Sequence, residues 1–222
     1  MLPKEGPTLV SQTDPGVIGK DTACAQSCVV NLVQLGLHHL GRQSIKNPVE
    51  VANAVRTTTN GHTVSEIAGM LENSFSHRFK GQKTEVTTKQ LNTDGQNHPS
   101  LTNSIELKDF KAASEPVPSK GRFSMDIATM ILTNKNQYEG GHTILIKGYD
   151  KSTNELLVID PYNAKRDVKF QPIEREIELN GQRLKSIQLV FKGPFEHYID
   201  APYVYLDGIY IVGLASAVVG GT

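Results

Sequence analysis

The chain has 222 residues, with 23 Lys plus Arg set against 23 Asp plus Glu and a formal net charge of zero, so it lacks the positive field of a nucleic-acid binder. No stretch reaches the roughly 18 apolar residues of a membrane-spanning helix, and the opening Met1-Leu2-Pro3-Lys4-Glu5-Gly6-Pro7 has no apolar core of signal-peptide length. The length suits one well-buried domain over residues 1–222, and the expectation is a soluble protein without a Sec signal.

Residues 1–20 carry Pro3, Pro7, Pro15, Gly16 and Gly19 and are expected to form an extended lead-in on the surface, with Gln12 its one notable side chain. The helical part, residues 21–78, starts where Asp21 or Thr22 offers a cap. Cys24 to Leu40 then places Val29, Val30, Leu32, Val33, Leu35 and Leu37 on most sides of a helix that Gly41 stops. A helix apolar on most of its circumference is a buried one. Asn47-Pro48-Val49-Glu50 reads as a capped second helix, and Thr63-Val64-Ser65-Glu66 as the start of a third that ends near Phe75.

Residues 80–120 read as an irregular insertion, with a short strand at Thr84-Glu85-Val86 and a helix at Ile105 to Ala113. Residues 121–222 form the β part. Its first run, Gly121 to Leu132, alternates partly and reads as a strand, with a helix as the alternative. Next come Gly140-Gly141-His142-Thr143-Ile144-Leu145-Ile146-Lys147-Gly148-Tyr149-Asp150 and Leu156 to Asp160, a hairpin with Asp150 to Asn154 at its tip. Val168 to Phe170, Ser186 to Phe191 and Val204 to Leu214 continue in the same character. Helices precede strands, which defines an α+β domain.

The hairpin carries the chemistry. A turn centred near Ser152 sets Ile144 opposite Asp160, leaving His142 a diagonal step away, about 7–8 Å along the backbone and closable by side chains. Cys24 occupies the first turn of its helix, where exposed N–H groups and the macrodipole favour a thiolate, and a nearby imidazolium would complete its activation. In that arrangement His142 is the base, Asp160 its orienting partner, and the Cys24 N–H faces the developing oxyanion. Cys28, one turn deeper, reads as core packing. Cys24 and Cys28 are too few for a disulfide framework and do not have zinc-ligand spacing, so free thiols and no metal are expected. His38 and His39 suit a helix C-terminus, while His62, His77, His98 and His197 sit in polar, turn-like contexts.

Cys24 opening a long apolar helix, the Gly141-His142 to Gly148-Tyr149 run and the Asp160-Pro161 step together resemble the papain-fold cysteine peptidases, in particular bacterial bacteriocin-processing peptidases and plant-pathogen effector proteases. The resemblance spans roughly residues 12–40 and 121–161. It implies a papain-like fold, a Cys24 nucleophile, a His142 base, an orienting Asp160, a protein or peptide substrate and no cofactor. The family's upstream oxyanion-donating Gln would be Gln12, although Ile18 stands at about the usual offset, Ala25 follows the nucleophile where relatives often carry Gly or Trp, and Gln26 is a rival donor inside the helix. By the same resemblance the protein is bacterial, cytoplasmic or exported by a non-Sec route as an effector or toxin. Glutamine deamidation, acyl transfer, and peptide binding without catalysis are the alternatives for the same cleft.

Overall fold

The computed structural model describes residues 6–56, 64–79, 83–90, 122–134, 137–179, 182–191 and 203–215. The apolar stretch after Cys24 forms α1 (Cys24–His39), buried without interruption from Ala25 to Gln34. It ends as its sequence requires. Gly41 takes φ 64, and its N–H reaches the His38 carbonyl at 2.9 Å while the Arg42 N–H reaches that of Leu37 at 2.8 Å, the paired bonds of a Schellman close.

A helix buried this deeply must satisfy its own polar side chains, and Asn31 and Gln34 do so on the lead-in. Asn31 accepts from the Val10 N–H at 2.7 Å and donates to the Val10 carbonyl at 2.9 Å. Gln34 donates to the Thr8 carbonyl at 3.0 Å and accepts from the Ile45 N–H at 2.8 Å. The lead-in runs over the surface, with Gly6, Thr8, Thr13, Pro15, Gly16 and Ile18 to Lys20 exposed, but it is pinned at Val10, Ser11, Gln12 and Val17, which are buried. Proline and glycine set its irregular course, whereas side-chain amides on α1 set its depth.

α2 (Pro48–Val55) and α3 (Val64–Arg78) flank α1. The expected caps of the first two helices are not used. Thr22 belongs to a 3-10 turn at Lys20–Thr22, its hydroxyl is engaged by Gly19 and Arg56, and Ala23 stands at the cap of α1. Asn47 spends its amide on Glu50 Oε2 at 3.1 Å instead of on the backbone. α3 runs to Arg78, past the expected stop near Phe75.

Seven antiparallel strands follow among the described residues: β1 (Lys83–Gln90), β2 (Arg122–Asn134), β3 (Gln137–Asp150), β4 (Glu155–Ile159), β5 (Asp167–Leu179), β6 (Gln182–Phe191) and β7 (Tyr203–Ala215). Their order is β1-β7-β2-β3-β4-β5-β6, and a single bridge, Gln188 to Tyr205, returns β6 to β7. β1 extends the expected short strand at Thr84 to Val86 and gives the insertion regular structure. The expected helix at Ile105 to Ala113, together with His62, His98 and His197, lies outside the described residues.

Among the described residues α1 takes part in two core clusters. Cys28, Val29, Leu32 and Val33 of α1 meet Ile67, Met70 and Leu71 of α3 and Ile127, Leu145 and Ile159 of the sheet. On the other flank Val30 joins Ala23, Val10 and Val17 of the lead-in and Ala52 of α2. α1 is therefore held on both sides, and its first residue is fixed against the sheet. No helix among the described residues is long and apolar enough to cross a membrane.

Candidate active site

β3 and β4 form the hairpin, its register set by the turn and by a bulge between Ile146 and Gly148. Asp150 Oδ1 accepts from the Ser152 N–H at 2.8 Å and the Ser152 hydroxyl at 2.6 Å, and Asn154 takes φ 53. Leu145 pairs with Ile159, so one further step sets Asp160 beside Ile144 and diagonal to His142. The side chains close that diagonal: His142 Nε2 lies 3.0 Å from Asp160 Oδ1. Asp160 is fully buried and His142 is 6% exposed. Asp160 leaves the strand as the cap of a 3-10 turn at Pro161–Asn163, and its Oδ1 also accepts the Tyr162 N–H at 2.8 Å.

With Nε2 on Asp160, His142 also shares a side-chain hydrogen bond with Cys24. Burial opposes charge on the ring, but the Asp160 carboxylate, by charge and hydrogen bond, and then Cys24, push His142 up from 6.5 to about 10. Burial likewise pushes the Cys24 thiol up. The hydrogen bond and charge of His142, followed by hydrogen bonds from the Thr143 side chain and backbone, outweigh it and hold the thiol below its ordinary value. Cys24 is the first residue of α1, so the helix N-terminus acts in the same direction. The arrangement favours a thiolate and imidazolium that titrate as a pair.

Cys28 behaves differently. It is buried, donates to the Thr143 carbonyl at 3.4 Å, and has a thiol pushed well up by burial and by the charges of Cys24 and Asp160. Both cysteines are free thiols. Among the described residues no three His, Cys, Asp or Glu side chains converge as a metal site would require.

Gln12 is 3% exposed. Its backbone N–H donates to the Pro161 carbonyl at 2.6 Å, beside Asp160, and its Nε2 donates to the Lys20 carbonyl at 2.7 Å, in the segment entering α1. Gln26 donates to the Ile18 carbonyl at 3.5 Å. The Oε1 atoms of Gln12 and Gln26 are buried without a hydrogen-bond partner. The chain thus brings Cys24, His142 and Asp160 together, with Gln12 between the Asp160-Pro161 step and the approach to Cys24. Sequence reading passed over Thr143, whose adjacency to His142 was its only signal.

A buried helix opened by a thiol, packed on an antiparallel sheet that presents a carboxylate-bound imidazole, defines the papain-like cysteine peptidase fold. The chain belongs to the Peptidase_C39 like family, whose family model matches residues 9–182, and that membership gives it a cysteine-peptidase type of function. No curated protein matches it.

Proposed function

We propose that the protein is a thiol hydrolase that cleaves a peptide or isopeptide bond through an acyl-enzyme on Cys24, with His142 as general base and acid and Asp160 as its orienting partner. The observation that carries this reading is the buried 3.0 Å bond from His142 Nε2 to Asp160 Oδ1, which leaves the opposite ring nitrogen for a thiol held below its ordinary value. The Cys24 sulfur adds to the carbonyl carbon, and the oxygen takes up the negative charge facing the Cys24 N–H and the second N–H of the Gln12 amide. His142 gives its proton to the leaving amine and the thioester forms. His142 then takes a proton from water, the hydroxide adds to the thioester, and collapse releases the acid and restores the thiolate and imidazolium.

Iodoacetamide labelling with peptide mapping tests the nucleophile. Labelling is expected at Cys24 and is expected to slow in His142→Ala; adducts that avoid Cys24, or a rate unchanged in the variant, would overturn the assignment. Incubation with a peptide library, with Cys24→Ala as control, then reads the reaction. New termini identify proteolysis, whereas a mass change without chain cleavage identifies deamidation or acyl transfer from the same acyl-enzyme. Binding that survives in Cys24→Ala with no product from the unaltered protein identifies a module without catalysis.

A further inference from the structure

The chain from Gly16 to Thr22 enters the first turn of α1, and two side chains at the end of α2 grip it. Asn53 accepts from the Ile18 N–H at 2.9 Å and donates to the Gly16 carbonyl at 2.9 Å. Arg56 donates to the Ile18 carbonyl, to the Gly19 carbonyl at 3.4 Å and to the Thr22 hydroxyl at 2.9 Å. Gly19 has φ 69, and a Cβ there would stand 1.9 Å from an Arg56 guanidinium nitrogen, so the glycine provides both the backbone turn and the space for the guanidinium. From the inner side, Gln12 holds the Lys20 carbonyl and Gln26 holds the Ile18 carbonyl.

These bonds form a relay. Asn53 and Arg56 fix the segment, the segment fixes the Lys20 carbonyl, and that carbonyl fixes the amide of Gln12. We infer that Asn53 and Arg56 are positioning residues for the acyl-transfer step, setting the oxyanion site through the Gly16 to Thr22 segment. The inference rests on the proposed Cys24 chemistry and adds to it the reason why α2 belongs to the catalytic apparatus. Donors to an oxyanion act only when held close to the productive geometry, so a displaced loop reduces acyl transfer without altering the thiolate.

Two reagents separate these effects without a known substrate. Iodoacetamide needs only the thiolate: a thioether forms and iodide leaves. p-Nitrophenyl acetate needs the oxyanion site as well: the sulfur adds to the ester carbonyl, the tetrahedral oxyanion collapses to the S-acetyl enzyme, and p-nitrophenolate leaves with the electron pair. Arg56→Met and Asn53→Leu are expected to slow the p-nitrophenolate burst about tenfold, less than the loss of a direct oxyanion donor. Their alkylation rate and its pH profile should stay within about twofold of the unaltered protein, because the thiolate is untouched. Arg56→Lys, which keeps a cationic donor, should recover part of the burst rate. Burst rates that are unchanged, or that fall in parallel with alkylation, overturn the inference. Failure of the unaltered protein to react at Cys24 with iodoacetamide would instead overturn the reading on which it rests.

Discussion

The Asp160 carboxylate is held from two directions through one oxygen: Oδ1 accepts His142 Nε2 at 3.0 Å and the Tyr162 backbone N–H at 2.8 Å. The second bond locks the carboxylate by the 3-10 turn it caps, so the imidazole is oriented by backbone geometry and not by a freely rotating side chain. The pH behaviour of His142 and of Cys24, its other side-chain partner, follows from this pairing.

His142 is pushed up from 6.5 to about 10, and Cys24 is held below its ordinary value of 9.0. Between the lowered thiol value and about 10, thiolate and imidazolium coexist. Alkylation of Cys24 should therefore set in at lower pH than that of an ordinary thiol and fall as acid protonates the thiolate. Above about 10 the imidazolium is lost, so turnover should fall for want of its acid while alkylation continues. In His142→Ala the alkylation limb should move to higher pH, and each unit of movement is about a tenfold loss of thiolate on the acid side. Stopped-flow alkylation across pH 4–11, a span chosen around the roughly unit-scale shifts that proteins impose, reads all of this.

Asp160→Ala should reduce stability in a pH-dependent way. A raised His142 value means that its contribution is fully present below 6.5 and is lost as pH rises toward about 10. Removing the carboxylate takes away the partner that does most to hold charge on the buried ring, so the loss should be about 3–5 kcal/mol near pH 6 and should shrink with rising pH. The part that persists at high pH belongs to the Tyr162 N–H left without its acceptor. Urea unfolding at several pH values checks the trend, and a pH-independent difference would contradict it.

The hairpin was legible because its register follows from turn chemistry: Asp150, Ser152 and Asn154 mark the tip, and counting outward places Asp160 near His142. Counted from the Asp150 to Glu155 pair alone, Asp160 would stand opposite Leu145; the bulge at Lys147, where the pairing shifts between Ile146 and Gly148, moves the register by one and sets it opposite Ile144, diagonal to His142. α1 was legible from its apolar circumference. The buried anchors of the lead-in were not legible, because proline and glycine content reports backbone conformation and says nothing of partners. Val10 and Gln12 are buried through Asn31 and the Pro161 carbonyl, contacts that join segments far apart in sequence. The unused cap at Thr22 has the same origin, since Arg56 competes for its hydroxyl. Local rules were overridden where long-range polar bonds gather, near the nucleophile.

Cys28 should remain unmodified while the protein is folded. Its thiol is buried, pushed well up, and donates to the Thr143 carbonyl, and reactivity follows the accessible thiolate. One equivalent of iodoacetamide is expected under native conditions and a second only in denaturant. Cys28→Ala should cost about 1–2 kcal/mol, from the small volume lost and one weak hydrogen bond, without changing the native alkylation rate by more than about twofold. Two equivalents in the folded state would place Cys28 in a more open environment than the core described above.

Asn31 anchors the lead-in through both of its amide atoms, accepting from the Val10 N–H at 2.7 Å and donating to the Val10 carbonyl at 2.9 Å. Asn31→Leu is similar in size but strands both backbone groups in an apolar setting, at about 1–3 kcal/mol each. Asn31→Asp keeps the acceptor for the N–H and turns the other contact into carbonyl facing carboxylate, so it should also destabilise. The segment that then loosens is the one whose Gln12 N–H holds the Pro161 carbonyl at 2.6 Å. Limited proteolysis should accordingly cut between Thr8 and Thr13 sooner in either variant, with denaturant midpoints lowered. A variant that unfolds earlier yet shows no new cleavage in this stretch would mean that the lead-in is held by Gln12 and Gln34 without help from Asn31.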